Sequence, residues 1–590
     1  MNDVTFRHTL LGSVIALGVF SVLWFSWKAP PYPVGLQRLS PPFAADHDAT
    51  IEAAVLRSMW TEYADYATVR IGRVERPAQL LTGRKQWVRQ LSIPPGGARY
   101  EVFIGAIDAS AIVRTGRAGS ALSETSVAAG EWTQLTFDLE AAAGGTQSVT
   151  FEIEVPPGGV AAWGSELVIP RQHHETPPDV VLISLDTVRR DQLTPYVPSL
   201  PTTPTLAALA HEAMMFEEAI STSSWTVSSH ATLFTGRFLP DSLGYQSRVE
   251  PEEYTLPEIL AASGYKTLGV SGGPYTDPRW GMHQGFDEYV ASGERENARD
   301  ATSRAIDWMS QAGAAPVFLF LNYFDAHEPL ELSEEVRRAS GVTADVPRTL
   351  WHELDAGRQP VTAAIRERLL AAYRAELTAI DEQLRRLTEY LKRSGRWDRT
   401  LLIIWSDHGQ LLGERGYIGH AYTLDEELLR VPLIIKPPKG SSLAHGSHKG
   451  LIQGDDLFAL TQTLAGLPSP DGASIVAAVS KNAPVRRLAF SKIHHEPLPE
   501  LVVQRRWRSA TQWAVHDGST KIVRSLEGES VAYDVTGAQE KPIAMPGPSS
   551  SLVTALERFR SWVGHLRSTP TVGPLSPAER ERLRSLGYIQ

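Results

Sequence analysis

The stretch Asp179-Val180-Val181-Leu182-Ile183-Ser184-Leu185-Asp186 decides how this sequence folds. A short apolar run that stops at a polar residue reads as a buried parallel strand. In open α/β sheets ligands bind just past the carboxyl ends of such strands. Asp186 therefore stands where a catalytic carboxylate would be delivered. Far along the chain Leu401-Leu402-Ile403-Ile404-Trp405 runs in the same way into Ser406-Asp407-His408-Gly409. Two strand ends thus supply Asp186, Asp407 and His408, and carboxylate with imidazole suits a divalent cation. Between them lies Ser224-Trp225-Thr226-Val227-Ser228-Ser229-His230-Ala231-Thr232-Leu233-Phe234-Thr235-Gly236.

Leu185-Asp186-Thr187-Val188-Arg189-Arg190-Asp191, the Thr226-to-Gly236 segment and Ser406-Asp407-His408-Gly409 resemble three successive motifs of the sulfatase family, in the alkaline-phosphatase superfamily. The similarity runs from about Pro178 to the C-terminus. It implies an α/β fold, with an alkaline-phosphatase-like mixed sheet sandwiched by helices. One departure bears on the chemistry. The family carries Cys or Ser in a C/S-x-P-x-R pattern, oxidised to formylglycine. Here Thr226 falls at the nucleophile, Ser228 at the proline and His230 at the arginine. Threonine is not expected to undergo that oxidation, and the chain has no Cys. What is left is a hydroxyl that a metal can activate directly. Thr nucleophiles are used by related phosphodiesterases and by phosphoethanolamine or phosphoglycerol transferases. The expectation is therefore attack on a phosphoester, or phosphoryl transfer, through Thr226. Hydrolysis of a sulfuric ester and a degenerate sulfatase fold that only binds a glycan or partner stay open beside it.

The resemblance extends the site. Asp186, Asp407 and His408 would bind a metal with the Thr226 oxygen as a further ligand. His230, His327 (in Asp325-Ala326-His327-Glu328-Pro329) and His420 would hold the non-bridging oxygens or protonate the leaving group. Three histidines near one anion could equally complete a second metal site. The donor set leans to zinc or manganese, with calcium and magnesium open. Thr187 stands where many sulfatases have a second Asp, which speaks against an oxygen-rich calcium site. Gln410 replaces the commoner Glu.

The 590 residues allow several domains. A hydrophobic share of 42% and a charged share of 21% are those of a globular protein. A net charge of −10 argues against a nucleic-acid partner. The absence of Cys excludes disulfides and thiolate chemistry.

Taken in order, residues 1–8 form a tail. Thr9 to Trp27 is an uncharged run, long enough at about 28 Å of helix to cross a bilayer core. Trp24 and Trp27 sit near one end as interfacial anchors do. We read it as an uncleaved signal anchor, with a cleaved signal peptide as the rival. The catalytic domain would then be extracytoplasmic, periplasmic in a bacterium, and its substrate a lipid head group or glycan ester of the envelope. Residues 28–38 read as a stiff linker. Residues 39–172 show short period-two runs, such as Leu135–Leu139 and Ser148–Val155, separated by Pro-Gly turns, which reads as a β-sandwich. Its Trp87, Trp132 and Trp163 either fill the core or line a sugar-binding face. Residues 178–470 carry the sulfatase-like pattern, and residues 471–590 read as a smaller α+β part of it. Within the catalytic part, apolar residues from Ile365 to Leu391 recur at helical spacing, and Val431–Pro438 reads as a strand. The sequence does not reveal the oligomeric state.

Overall fold

The computed structural model describes residues 37–38, 59–62, 67–71 and 74–170 (less 94–97, 108, 118–119, 140–144 and 165), then 177–565 (less 240–247, 250–252, 292–295, 343–345, 468, 495–510 and 538). Among the described residues no helix is long and apolar enough to cross a membrane. The anchor expected at Thr9–Trp27 lies outside them, as do residues 1–8, 28–36 and 566–590.

The catalytic sheet is built from β1 (Asp179–Leu185), β2 (Met214–Ile220), β3 (Lys266–Ser271), β4 (Glu288–Ala291), β5 (Val317–Tyr323), β6 (Thr400–Trp405), β7 (Arg430–Val431), β8 (Leu433–Lys436) and β9 (Gly446–Ile452). Its order is β4-β3-β5-β1-β6-β8-β2-β7, with β9 on β2. The central strands β3, β5, β1 and β6 are parallel, while β8 joins β6 antiparallel. The sheet is therefore mixed, and β1 sits in its middle. Every residue of β1, β5 and β6 is buried. Alternation along a strand sends neighbours to opposite faces. Val180 and Leu182 pack with Val227, Ala231 and Phe234 of α1 (Thr226–Thr235). Val181, Ile183 and Leu185 pack with α2 (Ala298–Gln311) and α3 (Ala363–Arg393) on the other face. Both faces need apolar residues, which is why β1 reads as one unbroken apolar run.

At the amino end of β1 the buried Asp179 carboxylate accepts bonds from Arg396 Nη1 (2.9 Å), Arg399 Nη2 (2.8 Å) and the Val317 amide (2.9 Å). It locks the starts of β1, β5 and β6 together, so their far ends arrive in register. The strand expected over 431–438 is split into β7 and β8 at Pro432, whose nitrogen has no hydrogen to give to a ladder.

Ahead of this unit, two antiparallel sheets of 8 and 4 strands pack around Tyr100, Val102, Ile104, Phe151, Ile153 and Trp163. Trp163 is fully buried, and Trp87 packs on its edge with ring centroids 4.6 Å apart. Trp132 lies against a smaller cluster around Ile71 and Val160. All three tryptophans thus take part in packing. Gln37 and Arg38, read as the end of a linker, instead pair with Val168 and Leu167 and extend a sheet edge. After residue 470 the helix Pro470–Ser480 stays with the main core through Ile475, Val476 and Val479. A sheet of 5 strands from Ala489 to Ile543 and the helix Ser551–His565 follow, packed through Trp513, Val515, Leu556 and Phe559.

Candidate active site

The carboxyl ends of β1, β5 and β6 and the first turn of α1 meet at one place. Asp186 follows β1, Asp407 and His408 follow β6, and Thr226 is the first residue of α1. Asp186, Asp407 and His408 are fully buried and Thr226 is 3% exposed. Donor atoms of Asp186, Asp407 and His408 lie within 4.8 Å of one another. His408 Nε2 is 3.3 Å from Asp407 Oδ2 and 3.2 Å from Thr226 Oγ1.

The surroundings fit a cation at that point. His408 Nδ1 is bonded to the Gly409 carbonyl at 3.0 Å, which puts its proton there and leaves the Nε2 lone pair facing Asp407 and Thr226. Asp407 Oδ1 accepts the amides of His408 (2.9 Å) and Thr187 (3.2 Å). Its Oδ2 is buried and accepts no hydrogen bond among the described residues. Burial pushes the Asp407 carboxyl well up and the His408 imidazole well down. A cation would favour the carboxylate and the neutral imidazole, the forms that bind it.

Thr187 supports this cluster from a left-handed backbone, φ 60, unusual for a β-branched residue. The strained backbone aims its amide at Asp407, while its hydroxyl donates 2.6 Å to the Asp186 carbonyl. Asn322, in register with Ser184 on β1, donates from Nδ2 to Asp186 Oδ2 at 3.3 Å. Ser229 of α1 donates 2.7 Å to the Asp407 carbonyl, and Ser221 bonds the same oxygen. Helix α1 and β6 are thereby joined at the residues that carry Thr226 and Asp407.

His230 departs from its expected role. Its Nδ1 bonds the Thr226 carbonyl and its Nε2 bonds Ser184 Oγ, both at 2.9 Å. It is fully buried against Phe320 and Trp405, and burial pushes its pKa down to about 4. Both nitrogens are engaged within the protein, and Nδ1 also lies 3.6 Å from Asp407 Oδ2, so the ring serves α1, β1 and Asp407. His230 instead pins the first turn of α1 to β1 and so positions Thr226.

His327 and His420 do come to the site. The His420 ring lies 4.5 Å from the His408 ring and 4.8 Å from that of His327. Trp225 stacks near His420 at 6.3 Å and meets Tyr275 at 4.3 Å. Asn322, Glu328 and Gln410 complete the arrangement, and the sequence reading gave none of them a role. The signal for Asn322 was a lone amide in an otherwise apolar strand.

A parallel-centred sheet that gathers carboxylates and imidazoles at its strand ends, beside a helix-borne hydroxyl, is the layout of the alkaline-phosphatase superfamily. Residues 178–467, which carry every residue of this site, match the sulfatase family model. It is 25% identical over 283 residues to the multifunctional alkaline phosphatase superfamily protein PehA of Trinickia caryophylli, covering 42% of this chain and 52% of that protein. It is 22% identical over 450 residues to an N-acetylglucosamine-6-O-sulfatase of Bacteroides thetaiotaomicron, covering 58% of this chain and 78% of the relative. In fold it is similar to the phosphonate monoester hydrolase of Agrobacterium radiobacter, with TM-score 0.50, 18% identity, and coverage of 65% of this chain and 94% of that one. This chain thus spans about half the length of the first of these relatives.

Proposed function

We propose that the chain is a hydrolase of phosphate or sulfate esters, and that its preferred reaction is attack of Thr226 on a phosphoester. The observation that carries this is Thr226 Oγ1 at the start of α1, 3.2 Å from Nε2 of His408, which clusters with Asp186 and Asp407. A divalent cation held by Asp186, Asp407 and His408 would lower the pKa of a nearby hydroxyl and neutralise the approaching anion. Thr226 loses its proton to solvent and forms a bond to phosphorus in line with the departing oxygen. That oxygen takes a proton from His327 or His420 as its bond to phosphorus breaks. Water then attacks the phosphothreonine and frees Thr226; a second alcohol in its place gives a transferase. The helix N-terminus around Thr226 supports negative charge developing there.

Phosphorus is favoured over sulfur because an unoxidised Thr leaves a simple ester intermediate that must be cleaved by a second attack on the central atom. The sulfuric-ester reading keeps its own support, since relatives named as sulfatases match the chain. We further propose, on sequence alone, that Thr9–Trp27 anchors the enzyme and that the substrate belongs to the envelope. The test uses the full chain with zinc, manganese or calcium on aryl phosphodiester, aryl phosphate and aryl sulfate, beside Thr226→Ala. Phosphodiester turnover lost in Thr226→Ala supports the proposal. Sulfate release lost in the same variant moves the activity to sulfur, and turnover that survives the substitution refutes the nucleophile.

A further inference from the structure

Behind His327 and His420 stands a carboxylate that the chemistry above leaves unused. Glu328 Oε2 lies 3.3 Å from His420 Nδ1 and 3.5 Å from His327 Nδ1. It accepts a 2.7 Å bond from Gln410 Nε2. Gln410 Oε1 is 3.1 Å from His420 Nδ1, and the Glu328 carbonyl is 2.8 Å from His327 Nδ1. Both Nδ1 atoms thus face oxygen acceptors and carry their protons there. In the doubly protonated ring the second proton is on Nε2, at the opposite edge, and it is this proton that the departing oxygen takes. The backbone around His420 is shaped for this aim, with Gly419 at φ 85 and Ala421 at φ 71. A positive φ at an alanine is strained, and the surrounding contacts hold it there.

We infer that Glu328, braced by Gln410, is a positioning residue that turns the Nε2 edges of His327 and His420 toward the departing oxygen. The inference rests on the ester-cleaving reading of Thr226. It also gives a reason for the amide at 410. A Glu there would set a second carboxylate about 2.7 Å from Glu328 Oε2, where like charges repel. An amide instead donates to Glu328 with one end and accepts from His420 with the other. The rival is a second cation, because donor atoms of His327, Glu328 and His420 lie within 4.8 Å of one another. A cation on the Nδ1 edges would have to displace the bonds to the Glu328 carbonyl and the Gln410 amide. The geometry therefore points to a bracket rather than a second metal.

The full chain is compared with Glu328→Gln, Gln410→Glu and the exchanged pair carrying both. Phenyl and para-nitrophenyl esters of one phosphodiester are assayed, and orthovanadate binding is titrated in parallel. A lost brace of this kind costs about 10- to 100-fold in activity. We expect that loss in kcat on the phenyl ester in each single variant, a smaller loss on the para-nitrophenyl ester, and little change in KM. We expect vanadate to bind more weakly in both and to recover in the exchanged pair, which restores one carboxylate and one amide. Equal losses on both esters, a change confined to KM, or no recovery in an exchanged pair that unfolds at the wild-type temperature would overturn the inference. So would a second tightly held metal equivalent in wild type that Glu328→Gln loses. Failure of the nucleophile reading shows separately, as turnover that survives Thr226→Ala, and the vanadate titration still reads the bracket.

Discussion

The two sides of the site are built differently. Asp186, Asp407, His408 and Thr226 sit on strand ends and the first turn of a helix, none more than 3% exposed. Their partners are mostly backbone amides and carbonyls of the same central elements. His327, Glu328, Gln410 and His420 sit on loops past the strands and hold one another through side chains. The first side is fixed by the sheet and would fail as a unit. The second is a set of exchangeable parts on a rigid frame, where a change alters rate more than fold.

The hardest way to break the first side is to remove its charge. Asp407→Asn keeps the shape that accepts the Thr187 and His408 amides but halves the carboxylate. We expect turnover to fall by about a thousandfold or more, with bound metal lost, measured by kinetics and metal analysis. Next is the frame itself. Asp179→Asn leaves Arg396 buried without its counter-charge, and we expect a loss of about 3–5 kcal/mol in urea unfolding.

The third break is a pH change. His230 titrates near 4 when folded and near 6.5 when free, so between these values the unfolded chain binds the extra proton. The contribution of His230 to stability is therefore whole above about 6.5 and is lost as pH drops toward 4, by about 3 kcal/mol. The same pH series on His230→Gln should differ from wild type by that amount, with the buried Asp407 and His408 still titrating; an unchanged slope would contradict the assignment. The smallest effect belongs to the loop side. Ala421→Gly relieves a positive φ and should raise stability by up to about 1 kcal/mol, while slowing turnover a little by loosening His420.

The sequence disclosed the rigid side and hid the adaptable one, for physical reasons. Strand ends are marked by contiguous apolar runs, so Asp186, Asp407 and His408 could be placed without a structure. The amphipathic helix α3 was legible from apolar residues recurring at helical spacing. His230 was misread because its place four residues after Thr226 gives a helix face but not what that face meets. Here it meets Ser184, Phe320 and Trp405. The pairing of Glu328 with Gln410 joins residues 82 apart, and that of Asn322 with Asp186 joins residues 136 apart. No local pattern encodes such pairings. Pro432, by contrast, announced the break between β7 and β8, and the reading that ran a strand through it passed over the missing donor.

The most direct test of the account is to catch the intermediate. The full chain is mixed with a phosphodiester radiolabelled at phosphorus, quenched during turnover and digested, and the labelled peptide is sequenced. Label on the peptide at Thr226, absent from Thr226→Ala, is the result predicted here. Steady turnover with label on no residue, or on another one, would contradict Thr226 as the nucleophile.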